Sequence, residues 1–135
     1  FGLRQEERDG ALVAPRIFAT GANITVPGGY ADNAFSLKVS ELPRDRAALE
    51  AQLDRRPDVQ KILYDSLGTF GTPLAPVFSD EVLKGIVDAA HARGVRTTVH
   101  AITELASRKV LDAGIDSFAH PVRAAATPEF MQRLA

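Results

Sequence analysis

Between Ser79 and His120 the sequence twice sets out the same unit: a helix-spaced apolar pattern, a glycine, a short apolar run, and a histidine at its end. In the first unit Ser79 caps a helix with Asp80 and Glu81 in its first turn. Val82, Ile86, Val87 and Ala90 form the buried face, Gly94 stops the helix, and Val95 to Val99 leads to His100. In the second, Thr103 is the cap, Leu105, Val110 and Leu111 are the apolar side, Gly114 closes the helix, and Ile115 to Ala119 leads to His120. Strands joined through helices run parallel, and few folds accept such a repeat. In all of them the loops leaving the finishing ends of the strands converge on one face, where chemistry collects.

The rest of the chain extends the pattern. RQEERDG, within Phe1 to Gly10, reads as the end of a helix. In ALVAPRIFA the run Arg16 to Thr20, between Pro15 and Gly21, is expected as a first strand. Gly21 to Val39 is expected as a long connection with Pro27, Gly28 and Gly29 near its middle. SELPRDRAALEAQLDRRPD predicts a helix with Pro43 in its first turn, Ala47, Leu49 and Leu53 on its buried face, and Pro57 as its stop. Val59 to Leu63 is the second strand, with Lys61 in its middle. Tyr64 to Phe78, carrying Gly68, Gly71, Pro73 and Pro76, is a loop, and Thr127, Pro128 and Glu129 open a last helix.

Strand then helix, repeated about four times, predicts an α/β fold with a parallel sheet. No G-x-G-x-x-G follows a strand, which counts against a doubly wound dinucleotide fold. The longest connections leave the first two strands, as on the elaborated face of a (β/α)8 barrel. The expected architecture is therefore a partial TIM barrel of about four βα units, roughly strands 3 to 6. Such an arc leaves two open sheet edges and one uncovered inner face. Residues 1–135 are accordingly expected to be the central part of a single catalytic barrel, with the first and last strands absent and no activity of its own.

Composition narrows the partners. A net charge of −1 gives no electrostatic case for nucleic acid or an anionic membrane, and no apolar run approaches the roughly 18 residues of a membrane helix. With no cysteine, any metal must be held by nitrogen and oxygen.

His100 alone at a strand end could be a hydrogen-bonded structural residue or a ligand. His120 stands at the equivalent place one strand later, and neighbouring parallel strands lie about 4.8 Å apart, so the two could share one ion. Lys61 either reaches solvent or, facing inward, must be neutralised, because a buried ammonium is desolvated. His91, near the C-terminal end of its helix, reads as a structural partner of the helix dipole.

IVDAAHARGVRTTVHA followed by VLDAGIDSFAH resembles the metal-dependent amidohydrolase superfamily, in particular its imidazolonepropionase-like and prolidase-like members. PRIFATGANITVPGGY is similar to the third-strand segment of those families, and PDVQKILYD to the fourth, where a lysine often stands. The resemblance covers nearly the whole chain. It implies that His100 and His120 ligate a divalent metal, one or two zinc ions, and that Lys61 is carboxylated so that its carbamate bridges two ions. It further implies hydrolysis of an amide, other C–N or ester bond by metal-activated water, with a small amide, dipeptide or cyclic amide as substrate; a homo-oligomer is compatible with the sequence, which does not name the oligomeric state.

Two family features have no counterpart here. No H-x-H pair occurs, and no segment resembles the eighth strand, whose aspartate serves as general base, so the catalytic base is expected outside this chain. Tyr30 also stands after Gly28 and Gly29 where many relatives carry histidine. Tyr30, Tyr64 and Arg123 fall just beyond strand ends and are candidate substrate contacts. Two other readings fit the same residues: a catalytically dead barrel relative acting as a scaffold, and a small α/β binding module in which both histidines are structural.

Overall fold

The computed structural model describes residues 1–66, 74–123 and 126–134. The elements in chain order are α1 (Gly2–Arg8), β1 (Asn23–Thr25), β2 (Ser36–Lys38), α2 (Leu42–Asp54), β3 (Gln60–Leu63), α3 (Asp80–His91), β4 (Thr97–His100), α4 (Glu104–Asp112), β5 (Ser117–Phe118) and α5 (Pro128–Leu134). The helix boundaries follow local chemistry. The Ser79 hydroxyl accepts from Val82 N at 3.2 Å and the Thr103 hydroxyl from Ala106 N at 3.2 Å, the two caps expected from the sequence. Gly94 and Gly114 follow α3 and α4 at φ of +67° and +89°, a conformation that a side chain would strain. Asp45, in the first turn of α2, accepts from Ser40 N at 2.7 Å and Glu41 N at 3.1 Å, which satisfies backbone donors the helix itself leaves open.

All strand pairs are parallel, in the order β2-β1-β3-β4-β5. From β1 through β3 and β4 to β5 each new strand is added on the same side. Because such crossovers are right-handed, helices added in one direction fall on one face of the sheet. That arrangement is the arc of a barrel, with α2 and α3 packed side by side over it.

Register fixes which residues face the helices. Ile24 pairs with Ile62, Ile62 with Val99, and Val99 with Phe118. Ile24, Ile62 and Val99 are fully buried in one apolar cluster with Leu83, Ile86 and Val87 of α3, Leu49 and Leu53 of α2, and Val110 of α4. Side chains alternate along a strand, so Thr25, Lys61, Thr98 and His100 belong to the opposite face. That face carries these four polar side chains, together with the buried Leu63.

The first strand differs from expectation. Residues 15–20 form no strand, Val13 is fully exposed and Phe18 is 73% exposed. Strand pairing begins at Asn23, where the β-branched Ile24 and Thr25 are buried, and Ser36–Lys38, read as part of a connection, is a fifth strand beside β1. The reason lies across the chain, at Asp58. Its carboxylate accepts from Ala19 N at 2.9 Å while its own N–H donates to Ala19 O at 3.0 Å, tying this segment to the start of β3 without a ladder.

Asp58 also receives Arg4 of α1 at 2.8 Å and Arg8 at 2.5 Å, and Arg4 donates to the carbonyls of Arg56 and Arg55. Burial alone would raise the carboxyl's pKa, but the Ala19 N–H and the two guanidinium groups outweigh it and hold Asp58 at about 2. A carboxylate depressed in the folded state adds stability above its ordinary 3.8, which is lost as pH falls through its folded value. Urea midpoints are therefore expected to drop between about pH 4 and pH 2, and Asp58→Asn should flatten that part of the profile. Among the described residues, no helix is long and apolar enough to cross a membrane.

Candidate functional site

The finishing ends of β1, β3, β4 and β5 bring together Tyr30, Lys61, Asp65, His100 and His120. Lys61 comes from the middle of β3 on the face away from the helices and is half-buried. Among the described residues no carboxylate forms a salt bridge with it, and burial pushes its ammonium below the ordinary 10.5. His100 ends β4 and is 8% exposed. Its carbonyl accepts from Tyr64 N at 2.9 Å, so the backbone beyond β3 holds the end of β4 in place.

Three side chains surround the His100 ring. Tyr30 stacks on it with centroids 4.3 Å apart and planes 6° from parallel. His120 meets it edge-on at 4.8 Å and 77°. Asp65, 1% exposed, places Oδ2 3.1 Å from His100 Nε2, close enough to pair charge but without the alignment of a hydrogen bond. Burial pushes the His100 imidazole below 6.5; Asp65 opposes that shift, whereas His120 and Lys61 reinforce it. A neutral imidazole is the form that offers a lone pair to a metal.

Tyr30 reaches this position through a tight turn. Gly29 N donates to Val26 O at 2.9 Å, Gly28 N to Asp32 Oδ2 at 2.8 Å, and the Thr25 hydroxyl to Tyr30 O at 3.0 Å. A Cβ on Gly29 would lie 2.7 Å from Val26 Cγ2 and 2.8 Å from Thr25 Oγ1, closer than real contacts allow. Gly29→Ala is therefore expected to shift the turn and cost about 1–3 kcal/mol in urea denaturation.

The remaining candidates lie elsewhere. Tyr64 is 3% exposed and packs in the core against Phe78, ring centroids 6.5 Å apart, where burial pushes its phenol above 10. Arg123 is exposed beyond β5, its N–H donating to Ile102 O at 2.9 Å. His91 is at the other end of the strands: Nε2 lies 2.8 Å from Asp116 Oδ2, which also accepts from Thr97 N at 2.7 Å and Thr97 Oγ1 at 2.9 Å. That cluster fixes the starts of β4 and β5 against each other, and so where His120 emerges. Asp65 was not singled out by the sequence. The available signal was an acid two residues past a strand end, next to a glycine-containing stretch of sequence whose residues 67–73 lie outside the described residues.

No family model matches the chain. An uncharacterized protein of Mycobacterium tuberculosis and one of Mycobacterium bovis are each 34% identical over 106 residues, which is 78% of this chain and 28% of those proteins. Among solved structures, a Xaa-Pro dipeptidase with methionine bound in its active site is 27% identical at a TM-score of 0.71, over 97% of this chain and 36% of its own. An amidohydrolase is 23% identical at 0.72, over 87% and 34%. An ochratoxinase of A. niger shares the fold at 19% identity and 0.75, over 97% and 36%. Over nearly its whole length this chain is similar to part of a Xaa-Pro dipeptidase, and it shares the fold of part of an amidohydrolase. It spans 28% of the length of its curated relatives and about a third of the solved ones.

The donor set fits a divalent ion in part. The His100 imidazole is buried with its Nε2 beside Asp65, His120 is exposed next to it, and every available donor is nitrogen or oxygen. Among the described residues there is no group of three or more His, Asp or Glu able to hold an ion, so a complete site needs Lys61 or donors from outside these residues.

Proposed function

We propose that this chain supplies the middle of the active site of a metal-dependent hydrolase of amide bonds, with a dipeptide or other small amide as substrate. The observation that carries the reading is the convergence of His100 and His120, 4.8 Å between ring centroids, beside the half-buried Lys61 at one set of strand ends. A bound zinc ion would lower the pKa of water and polarise the scissile carbonyl. His100 and His120 are the two imidazoles that would hold it. Lys61, carboxylated at Nζ, would add an anionic oxygen donor, which removes the desolvated ammonium. Tyr30 closes one side of His100 and borders the space where substrate would sit. The proton-transferring base is assigned to none of these residues.

Support comes from the relationship to amidohydrolases and dipeptidases, and from the neutral, buried state favoured for His100. The test is zinc content by elemental analysis together with turnover of a dipeptide panel, in the full-length protein and in residues 1–135 alone. Zinc at about one or two equivalents with hydrolysis by the full-length protein is expected, and no turnover by residues 1–135. Absence of zinc and of turnover in the full-length protein would overturn the reading in favour of a scaffold barrel.

A further inference from the structure

We infer that Asp65 is a positioning residue for His100: its carboxylate draws the Nε2–H form of the ring toward itself and leaves Nδ1 as the nitrogen with a free lone pair. Three observations carry this. Asp65 Oδ2 lies 3.1 Å from His100 Nε2, both groups are almost wholly buried, and the imidazole is confined on other sides by Tyr30 and His120. A buried carboxylate beside a neutral imidazole favours whichever tautomer points an N–H at it. Stacking at 4.3 Å and 6° against Tyr30 fixes the plane of the ring with Nε2 on the Asp65 side, so the position of the proton is what Asp65 has left to set. The imperfect alignment is the usual condition of such bonds before a ligand tightens them.

The chain places Asp65 well for this role. It follows Tyr64, whose N–H is bonded to the His100 carbonyl and whose ring is held in the core against Phe78. Backbone and side chain beyond β3 thus grip the same histidine at two points.

The consequence for metal binding rests on the proposed function; the tautomer does not. In full-length protein labelled with ¹⁵N-histidine and kept metal-free at pH 8, long-range ¹H–¹⁵N spectra are expected to show His100 as the Nε2–H tautomer. Asp65→Asn should shift or mix that tautomer, with circular dichroism unchanged. An Nδ1–H tautomer in the unsubstituted protein, or one unaltered by Asp65→Asn, would overturn the inference, and the first of these needs no variant to fold. Zinc titration separates the two ideas. If His100→Ala abolishes zinc binding, Asp65→Asn should weaken it by about 10–100-fold, and an unchanged zinc affinity in Asp65→Asn would count against Asp65. If His100→Ala leaves zinc affinity intact, the metal reading fails, while the tautomer result still decides the role of Asp65.

Discussion

Replacing Lys61 with methionine is expected to make the metal-free protein more resistant to urea, by about 1 kcal/mol, because an apolar chain of similar length replaces a desolvated cation. Its ammonium has no carboxylate partner among the described residues, and burial already pushes its pKa down. A charge held this way costs stability unless something compensates it. On the proposed function the compensation is carboxylation and a bound ion, so the same variant should lose zinc affinity by on the order of 100-fold or more. Stability and function are thus expected to move in opposite directions. A urea midpoint lowered by Lys61→Met would mean that the ammonium is already well paired.

Ile86→Ala is expected to cost about 2–5 kcal/mol, a large part of the roughly 5–15 kcal/mol that holds a domain folded. Ile86 is fully buried on α3, in the cluster that joins α2 and α3 to Ile62 and Val99 of the sheet. Neighbouring side chains are anchored on separate elements, so they cannot collapse into the space without moving a helix or a strand. Leu105→Ala on α4 is the control. Leu105 is 71% exposed, and its truncation should stay within about 0.5 kcal/mol. Urea midpoints at unchanged m-value measure both.

The helices after β3 and the strands they lead to were legible because their signals are local. The hydroxyls of Ser79 and Thr103 cap the residues three positions on, and Gly94 and Gly114 turn the chain at positive φ. Each of these interactions spans only a few residues, so the spacing in the sequence carries it. His100 at the end of β4 follows directly from that count.

The first strand was misplaced because a strand is defined by its partner, which the sequence does not display. ALVAPRIFA has the apolar content of a buried run, yet its Phe18 is left in solvent. Asn23–Thr25 has only three residues and gains its status from pairing with β2 and β3. Tyr64 shows the same limit: its place after a strand pointed to a mouth, and packing against Phe78 took the ring into the core.

By itself the sequence determined the βα alternation, the helix ends, the parallel sheet and the arrival of two histidines at strand ends, all consequences of periodicity and capping within short spans. Only the tertiary structure decided that Tyr30 lies flat on His100, that Asp65 stands 3.1 Å from its Nε2, and that Lys61 is left half-buried without a carboxylate partner among the described residues. Those facts depend on segments 30 or more residues apart in the chain meeting at the finishing ends of the strands. Strand register, not local sequence, sets which side chains meet there.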